Sequence, residues 1–375
     1  MRILMITPTF YPITGGAETV VRNMSAALQR IGLYVDIMTF HMNTPWFPKW
    51  SGTTEKVDGI TVHKIPGLNW IPFTSSPRIK LGLNLIPGRF RHLTKEYDVL
   101  HFHQADFSFP LFSGFLKQPK IMHLHGLRLD YFRRYYWSGV MLRKTADLYL
   151  SLSKQMTNDL TTIGIPENKI VHFPNSVDTQ KFFPKYKKLE SSLLFVGRIT
   201  PDKGLHVLLR SLRHIKKPIH LKIVGPVDVN HDLKYYYGIL DLIKHENAKG
   251  KHKIDYLGTV ENRVLLDCYQ NASIFVLPSV YEPFAVVILE AMSCGTPVVS
   301  TCVGGVPEIV KSYENGLLVP ANDPLMLAES LNYLLENGDI RSRFGHSARE
   351  GIVKNFSQEF LAKKLCTIYE KLINS

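Results

Sequence analysis

The sequence predicts an α/β protein of two facing, doubly wound Rossmann-like domains with a ligand cleft between them, and three observations carry that expectation. The chain has 375 residues, beyond the size at which a single hydrophobic core usually stops growing. Short apolar runs alternate with helical patterns along most of it, as they do where helices cover a parallel sheet. The alternation breaks in a stretch of Pro, Lys and aromatic residues at 174–188 and restarts at Ser192.

In chain order, a strand over 2–7, a Pro/Gly loop over 8–16, an amphipathic helix over 17–31 and a strand over 34–40 form a βαβ unit. Val57-Asp58-Gly59-Ile60 reads as a hairpin turn. Runs 97–102 and 120–124 read as buried parallel strands with histidines at their ends. The second series is 193–196, 219–224, 254–257, 274–277 and 298–301, with helices between most of them. The expected domains are 1–180 and 191–355. Phe356, Phe360, Leu361, Leu365, Ile368, Tyr369 and Leu372 stand at helical spacing, so 356–375 is expected to be a helix crossing back onto the first domain.

Composition narrows the function classes. With 45% hydrophobic and 21% charged residues the chain is globular rather than disordered. The apolar run 284–289 is far short of a membrane span. The start, Met1-Arg2 and then a strand halted by Pro8, has no secretory h-region, so a cytoplasmic location is expected. Cys268, Cys294, Cys302 and Cys366 lack metal-type spacing and are expected to be reduced, buried and structural. The net charge of +13 suits nucleic acid, an anionic membrane or a diphosphate ligand, and charge alone does not choose among them. No internal repeat or low-complexity tract is visible.

The most informative stretch is Pro278-Ser279-Val280-Tyr281-Glu282-Pro283-Phe284-Ala285-Val286-Val287-Ile288-Leu289-Glu290-Ala291-Met292-Ser293-Cys294-Gly295. It follows a buried strand and opens a helix, with Pro283 suited to the first helical position and Gly295 to the stop. Unpaired amides near Phe284, Ala285, Val286 and Val287 would form an anion site. Glu282 and Glu290, eight residues apart, would then contact different parts of one long ligand. After strand 193–196, Gly197-Arg198-Ile199-Thr200-Pro201-Asp202-Lys203-Gly204 puts two cations at a strand's carboxyl end, where ligands of open α/β sheets collect. Gly15-Gly16 lies between the first strand and its helix, where glycine permits close approach and the helix dipole attracts an anion. A full Gly-x-Gly-x-x-Gly is absent, which weakens a dehydrogenase reading.

The stretch around Glu282 and Glu290 resembles the Glu-x7-Glu motif of the family 4 (group 1) retaining glycosyltransferases of GT-B fold, and the likeness runs over nearly the whole chain. The resemblance implies that Glu282 bonds hydroxyls of the transferred sugar, Glu290 the nucleoside ribose, and the amides of Ala285, Val286 and Val287 the diphosphate. Gly197 to Gly204 is similar to the family's Gly-Arg-x(n)-Lys-Gly element, which implies that Arg198 and Lys203 bind donor phosphates. The glycine loop at Gly15 and Gly16 would reach the diphosphate from the other domain. Pro174-Asn175-Ser176-Val177-Asp178 and Gly304-Gly305-Val306-Pro307-Glu308 match two further segments. Ala285 and Ser176 stand where the family usually has glycine, and a methyl at 285 is expected to crowd the donor.

His101, His103, His123 and His125 end two predicted strands. Their spacing points each pair to one face but supplies no third ligand for a metal, so none is expected. His125-Gly126 resembles the family's cleft histidine beside the sugar, and His103 a second one on the acceptor side.

No Asp-x-Asp triplet occurs, which argues against a metal-held diphosphate; Arg198, Lys203 and helix amides would replace the ion. The resemblance implies retention of configuration with no cofactor beyond the donor sugar nucleotide. Trp46 to Trp50, Trp70 to Phe73 and Arg128 to Lys144 mix aromatics with cations. That pattern suits either an acceptor cleft with a basic rim or peripheral docking on an anionic membrane with a lipid-linked or cell-envelope glycan acceptor. A nucleotide-sugar epimerase or phosphorylase, or a non-catalytic nucleotide-sugar-binding protein, are the rival expectations, and no motif for nucleic acid is present.

Overall fold

Runs such as Ile3-Leu4-Met5-Ile6 and Leu193-Leu194-Phe195-Val196 have no polar face, so they are stable only as strands covered on both sides. The computed structural model places them at the centres of two parallel sheets. It describes residues 1–11, 15–41, 52–66, 68–69, 82–83, 92–103, 116–127, 142–185, 188–227 and 233–375. The chain divides into one unit of residues 1–175 with 358–375 and a second of 176–357.

In the first unit, β1 (Arg2–Ile6), α1 (Gly16–Arg30) and β2 (Tyr34–His41) form the expected βαβ start. Asp58 (φ 51°) and Gly59 (φ 82°) make the hairpin turn between β3 (Thr53–Val57) and β4 (Ile60–Pro66), both left-handed as a type I′ turn requires. A short ladder joins β5 (Leu68–Asn69) and β6 (Gly82–Leu83). Then follow β7 (Val99–His103), β8 (Lys120–His123), β9 (Leu148–Ser151), α2 (Lys154–Thr162) and β10 (Ile170–His172). The sheet runs β10-β9-β8-β7-β1-β2-β4-β3, parallel except for the edge strand β3. β9 and β10 were not among the expected strands; they are four and three residues long, too short to give a period.

The second unit contains β11 (Ser192–Val196), α3 (Leu205–Ser211), β12 (His220–Val224), α4 (Leu233–Ala248), β13 (Lys253–Tyr256), α5 (Asn262–Asn271), β14 (Ile274–Leu277), α6 (Val286–Ser293), β15 (Val298–Thr301), α7 (Val306–Ile309), β16 (Gly316–Val319), α8 (Pro324–Glu336) and α9 (Gly338–Phe356). Its all-parallel sheet runs β13-β12-β11-β14-β15-β16. That is the doubly wound order in which the chain turns back between the first and fourth strands.

The boundary between the units falls earlier than 180–191. Arg349 donates to the carbonyls of Thr179 and Phe182 at 3.0 and 2.8 Å, and Ser293 Oγ donates to Phe182 O at 2.7 Å. Lys188 Nζ donates to Thr296 Oγ1 at 2.7 Å and Cys294 O at 3.1 Å, so the Pro- and Lys-rich stretch is stitched onto the second unit. At the other end the helical pattern is broken at Ser357. Phe356 O accepts the Val177 amide, Ser357 bridges Val177, and the Phe356 ring lies 6.0 Å from Phe284. The last helix, α10 (Gln358–Ile373), packs on α1 of the first unit and buries Leu361, Leu365 and Tyr369, with Arg30 held to Gln358 at 2.6 Å. Phe360, assigned by spacing to the apolar face, is exposed. Of the four cysteines Cys268 and Cys294 are buried, Cys302 is exposed and Cys366 half-buried, so burial does not hold for all four.

Candidate functional site

β11 and β14 are neighbours in the second sheet, and their outgoing connections are the two segments singled out by sequence. The crevice beyond such a reversal is where open α/β sheets bind ligands. After β11 the chain passes Gly197 and Arg198 and makes one tight turn, Pro201–Lys203, closed by Gly204 at φ 69°. A Cβ on Gly204 would stand 1.8 Å from Pro278 O, so only glycine lets this turn lie against the end of β14. The amide of Val280 bonds Asp202 O at 2.8 Å, joining the two segments directly.

That junction presents Lys203 to Glu282. Nζ donates to Oε2 at 2.6 Å, and the side chains are only 16% and 8% exposed. An ammonium has three donors, so the contact with Glu282 leaves it capacity for a ligand oxygen. Glu282 is fixed from the other side as well. Gly304 (φ 54°) packs so closely that a Cβ would meet Glu282 O at 1.8 Å, and the Gly305 amide is shared by Glu282 O and Pro283 O at 3.3 and 3.2 Å. Arg198 lies on the same loop, half-buried.

The Gly305 contact also moves the helix start. α6 begins at Val286, with Ala285 as N-cap, and not at Pro283, whose carbonyl is taken by Gly305. The amides of Ala285, Val286 and Val287 therefore stand at the helix opening, while those of Ile288 and Leu289 turn back to Ala285 O. Ala285 has φ −83°, an ordinary backbone that a methyl does not strain. Phe284 is buried. The helix stops as the sequence indicated, with Gly295 at φ 66° and the Thr296 amide reaching back to Ala291 O at 3.0 Å. Ser176 likewise has no left-handed φ, so the turn there does not require glycine.

Glu290 is the fifth residue of α6, just over one turn in. Its Oε2 accepts from Tyr269 Oη at 2.7 Å, and Tyr269 on α5 is fully buried. Burial pushes the Glu290 carboxyl up to about 7, with Tyr269 and Lys181 acting the other way. The residue keeps a partial opening to solvent, so part of that burial effect is screened. Tyr269 was missed by sequence reasoning because it precedes Glu290 by 21 residues on another helix. Lys188 was missed too; burial lowers its amine to about 8, and it serves the fold.

In the first unit Gly15 caps α1 and Gly16 is its first residue. The Glu18 carboxylate folds over Gly15 and accepts from Thr9 Oγ1, so this helix opening already has an anion of its own. Residues 12–14 of the loop, and the aromatic-cationic segments 46–50, 70–73 and 128–141, lie outside the described residues. His103 Nδ1 and His125 Nε2 are 2.9 Å apart. His101, His103 and His123 are buried together, and among the described residues these three could hold a metal ion. Burial lowers the imidazole of the partly open His125 to about 4 and holds the other three well below the usual histidine range, helped by their mutual repulsion. All four are neutral at pH 7.

Chemically, the second unit offers Lys203, Glu282 and the helix-opening amides of Ala285, Val286 and Val287 beyond the ends of β11 and β14, with Arg198 on the first of these loops and Glu290 further along α6. Such a set binds a polyhydroxylated anion and neutralises charge that builds on it. The model of glycosyl transferases group 1 matches residues 177–351, and that of glycosyltransferase family 4 matches 14–181. An uncharacterized glycosyltransferase of Methanocaldococcus jannaschii is 26% identical over 99% of this chain and 98% of its own. A D-inositol 3-phosphate glycosyltransferase of Xylanimonas cellulosilytica is 32% identical over 60% of this chain and 57% of its own. Among solved structures, sucrose-phosphate synthase from Thermosynechococcus elongatus superposes with a TM-score of 0.82 at 24% identity, covering 100% of this chain and 99% of its own. Anabaena HepE, solved with UDP and glucose, gives 0.79 at 18% identity over 99% and 100%. The chain thus belongs to the group 1 glycosyltransferases, with two parallel-sheet domains of GT-B type.

Proposed function

We propose that this glycosyltransferase moves a hexose-type sugar from a nucleotide-diphosphate donor to a hydroxyl acceptor, with retention of configuration and without a metal on the diphosphate. The observation that carries the reading is the Lys203–Glu282 pair at 2.6 Å, held at the β11/β14 strand ends by Gly204 and Gly304. As the sugar–phosphate bond breaks, negative charge grows on the leaving diphosphate. Arg198, Lys203 and the amides of Ala285, Val286 and Val287 stabilise it by fixed charge and dipole. Glu282 takes sugar hydroxyls and Glu290 the ribose. In the first unit His125, neutral and so able to donate at one nitrogen and accept at the other, is the sugar-side group, and the fully buried His103 acts on it through their 2.9 Å contact rather than on the acceptor. The acceptor hydroxyl gives its proton to the leaving phosphate, so the protein needs no nucleophile.

The net charge of +13 and the basic aromatic segments support a lipid-linked or cell-envelope glycan acceptor and peripheral docking at the cytoplasmic face of an anionic membrane. Consistent with peripheral docking, no described helix is long and apolar enough to cross a bilayer.

The test is binding and hydrolysis of a panel of UDP-, GDP- and ADP-sugars in EDTA by the wild type, Glu282→Ala and Lys203→Ala. Slow hydrolysis of one donor, lost in both folded variants, is the expected result. Binding without turnover, even with acceptors, would leave a sugar-nucleotide-binding protein; a free or phosphorylated sugar as the physiological product would leave an epimerase or phosphorylase. The same protein should float with anionic and not with neutral liposomes, and equal recovery with both would remove the membrane element.

A further inference from the structure

The parallel register of β7 and β8 sets His103 directly beside His123. His101, two residues before His103, points to the same face of the sheet. All three side chains are fully buried. Their ring centroids lie 4.4 Å apart for His101 and His103, and 5.5 and 5.4 Å from His123. One nitrogen from each falls within 4.8 Å of the others.

Their hydrogen bonding is incomplete in a telling way. His101 Nδ1 is satisfied by Tyr369 Oη at 2.6 Å, while its Nε2 has no partner. Neither ring nitrogen of His123 has one. His103 Nδ1 meets His125 and its Nε2 meets only the Met5 thioether, at 3.3 Å. Buried polar atoms are normally paired; a neutral imidazole carries one lone pair and one N–H, so His101 and His123 can each turn an unpartnered lone pair toward something that accepts it.

We propose that His101, His103 and His123 form a binding site for a transition-metal dication, zinc in particular, that clasps the ends of β7 and β8. The donor set is suitable: uncharged imidazoles with free lone pairs suit zinc, whose d10 shell accepts whatever geometry the protein gives. The Tyr369 contact fixes one nitrogen of His101 and leaves the other for the ion, as an outer hydrogen bond does for most metal-bound histidines. Tyr369 lies on α10, so the ion also ties the C-terminal helix to the strand ends. Bonds of about 2.0–2.1 Å need nitrogens roughly 3.3 Å apart, and the rings close on the ion by side-chain rotation from the open arrangement. Three imidazoles bring no charge and leave the fourth tetrahedral position for a ligand from outside the triad.

The site belongs to the first unit and rests on none of the donor-site residues of the second. Its test is zinc content by mass spectrometry on untagged, full-length protein loaded with zinc chloride and desalted. The expected result is about one zinc per chain. The count should fall at least tenfold in His123→Gln and His101→Gln and stay unchanged in His206→Gln of the second unit. Cobalt loading of the wild type should give the visible spectrum of a four-coordinate ion, which decides the matter if the histidine variants do not fold. Less than about a tenth of an equivalent in the loaded wild type, or an undiminished count in folded His123→Gln, would overturn the site. Binding of a nucleoside diphosphate alone, which needs only residues of the second unit, succeeds or fails independently of the zinc count.

Discussion

Replacing Lys203 by alanine should destabilise the second unit and abolish donor hydrolysis, and the two effects separate. Two unit charges 2.6 Å apart attract by about 6 kcal/mol at an effective dielectric near 20. Most of that is offset by desolvation of side chains left only 16% and 8% exposed. Removing the lysine keeps the desolvation of the carboxylate and discards the attraction, for which losses of about 3–5 kcal/mol are usual. Both side chains keep some contact with solvent, so the expected loss is about 2–4 kcal/mol. Lys203→Met with Glu282→Gln removes both charges and should recover most of the stability while remaining inactive.

Chemical denaturation can assign the loss to a unit. Far-UV dichroism follows both units, and hydrogen exchange read on peptides from 188–227 and 233–357 follows the second alone. A Lys203→Ala transition within 0.5 kcal/mol (roughly the scatter of a surface substitution) of wild type would refute the buried-pair argument. Stability recovered by the double variant together with full hydrolysis would refute the role given to the pair in donor binding.

Two further outcomes follow from the same crevice. The folded Glu290 carboxyl is raised to about 7 from an ordinary value near 4.5, so its contribution is fully present below pH 4.5 and is lost as pH rises through 7. Discounted for its partial exposure, the drop is roughly 1–2 kcal/mol, and Glu290→Gln should flatten it in melts from pH 5 to 8.5 while weakening donor binding. Gly304→Ala forces a methyl to 1.8 Å from Glu282 O at φ 54° and should cost more than Gly258→Ala, which meets the same left-handed penalty (φ 63°) in open space. The second should lose about 1–2 kcal/mol and keep donor hydrolysis; the first should lose more and lose hydrolysis, as comparative denaturation and turnover would read.

What was legible in the sequence is what neighbouring residues decide among themselves. Asp58-Gly59 can only be a tight turn, Gly295 can only stop a helix there, and the Glu282-to-Glu290 and Arg198-to-Lys203 stretches carry their spacing with them. What escaped depends on partners brought in by sheet register or by packing. Pro283 looks like a first helical residue until Gly305, 22 positions on, takes its carbonyl and starts α6 at Val286. Ala285 and Ser176 stand where a glycine is usual, and only the fold shows that neither backbone needs a positive φ. Tyr269 has no motif, and only the packing of α5 on α6 makes it the partner of Glu290.

The histidines show the same limit most sharply. Along each strand the two-residue spacing yields pairs, and a pair is too few for a metal. The one fact that turns two pairs into a triad, that His103 stands beside His123, belongs to the register between strands separated by 16 residues of chain. A parallel sheet fixes register through its crossover connection rather than through any local signal. A sequence reading of such folds is therefore strongest for sites built from one loop and its following helix, as at Glu282 and Glu290. It is weakest for sites built across adjacent strand ends, and these have to be sought in the fold itself.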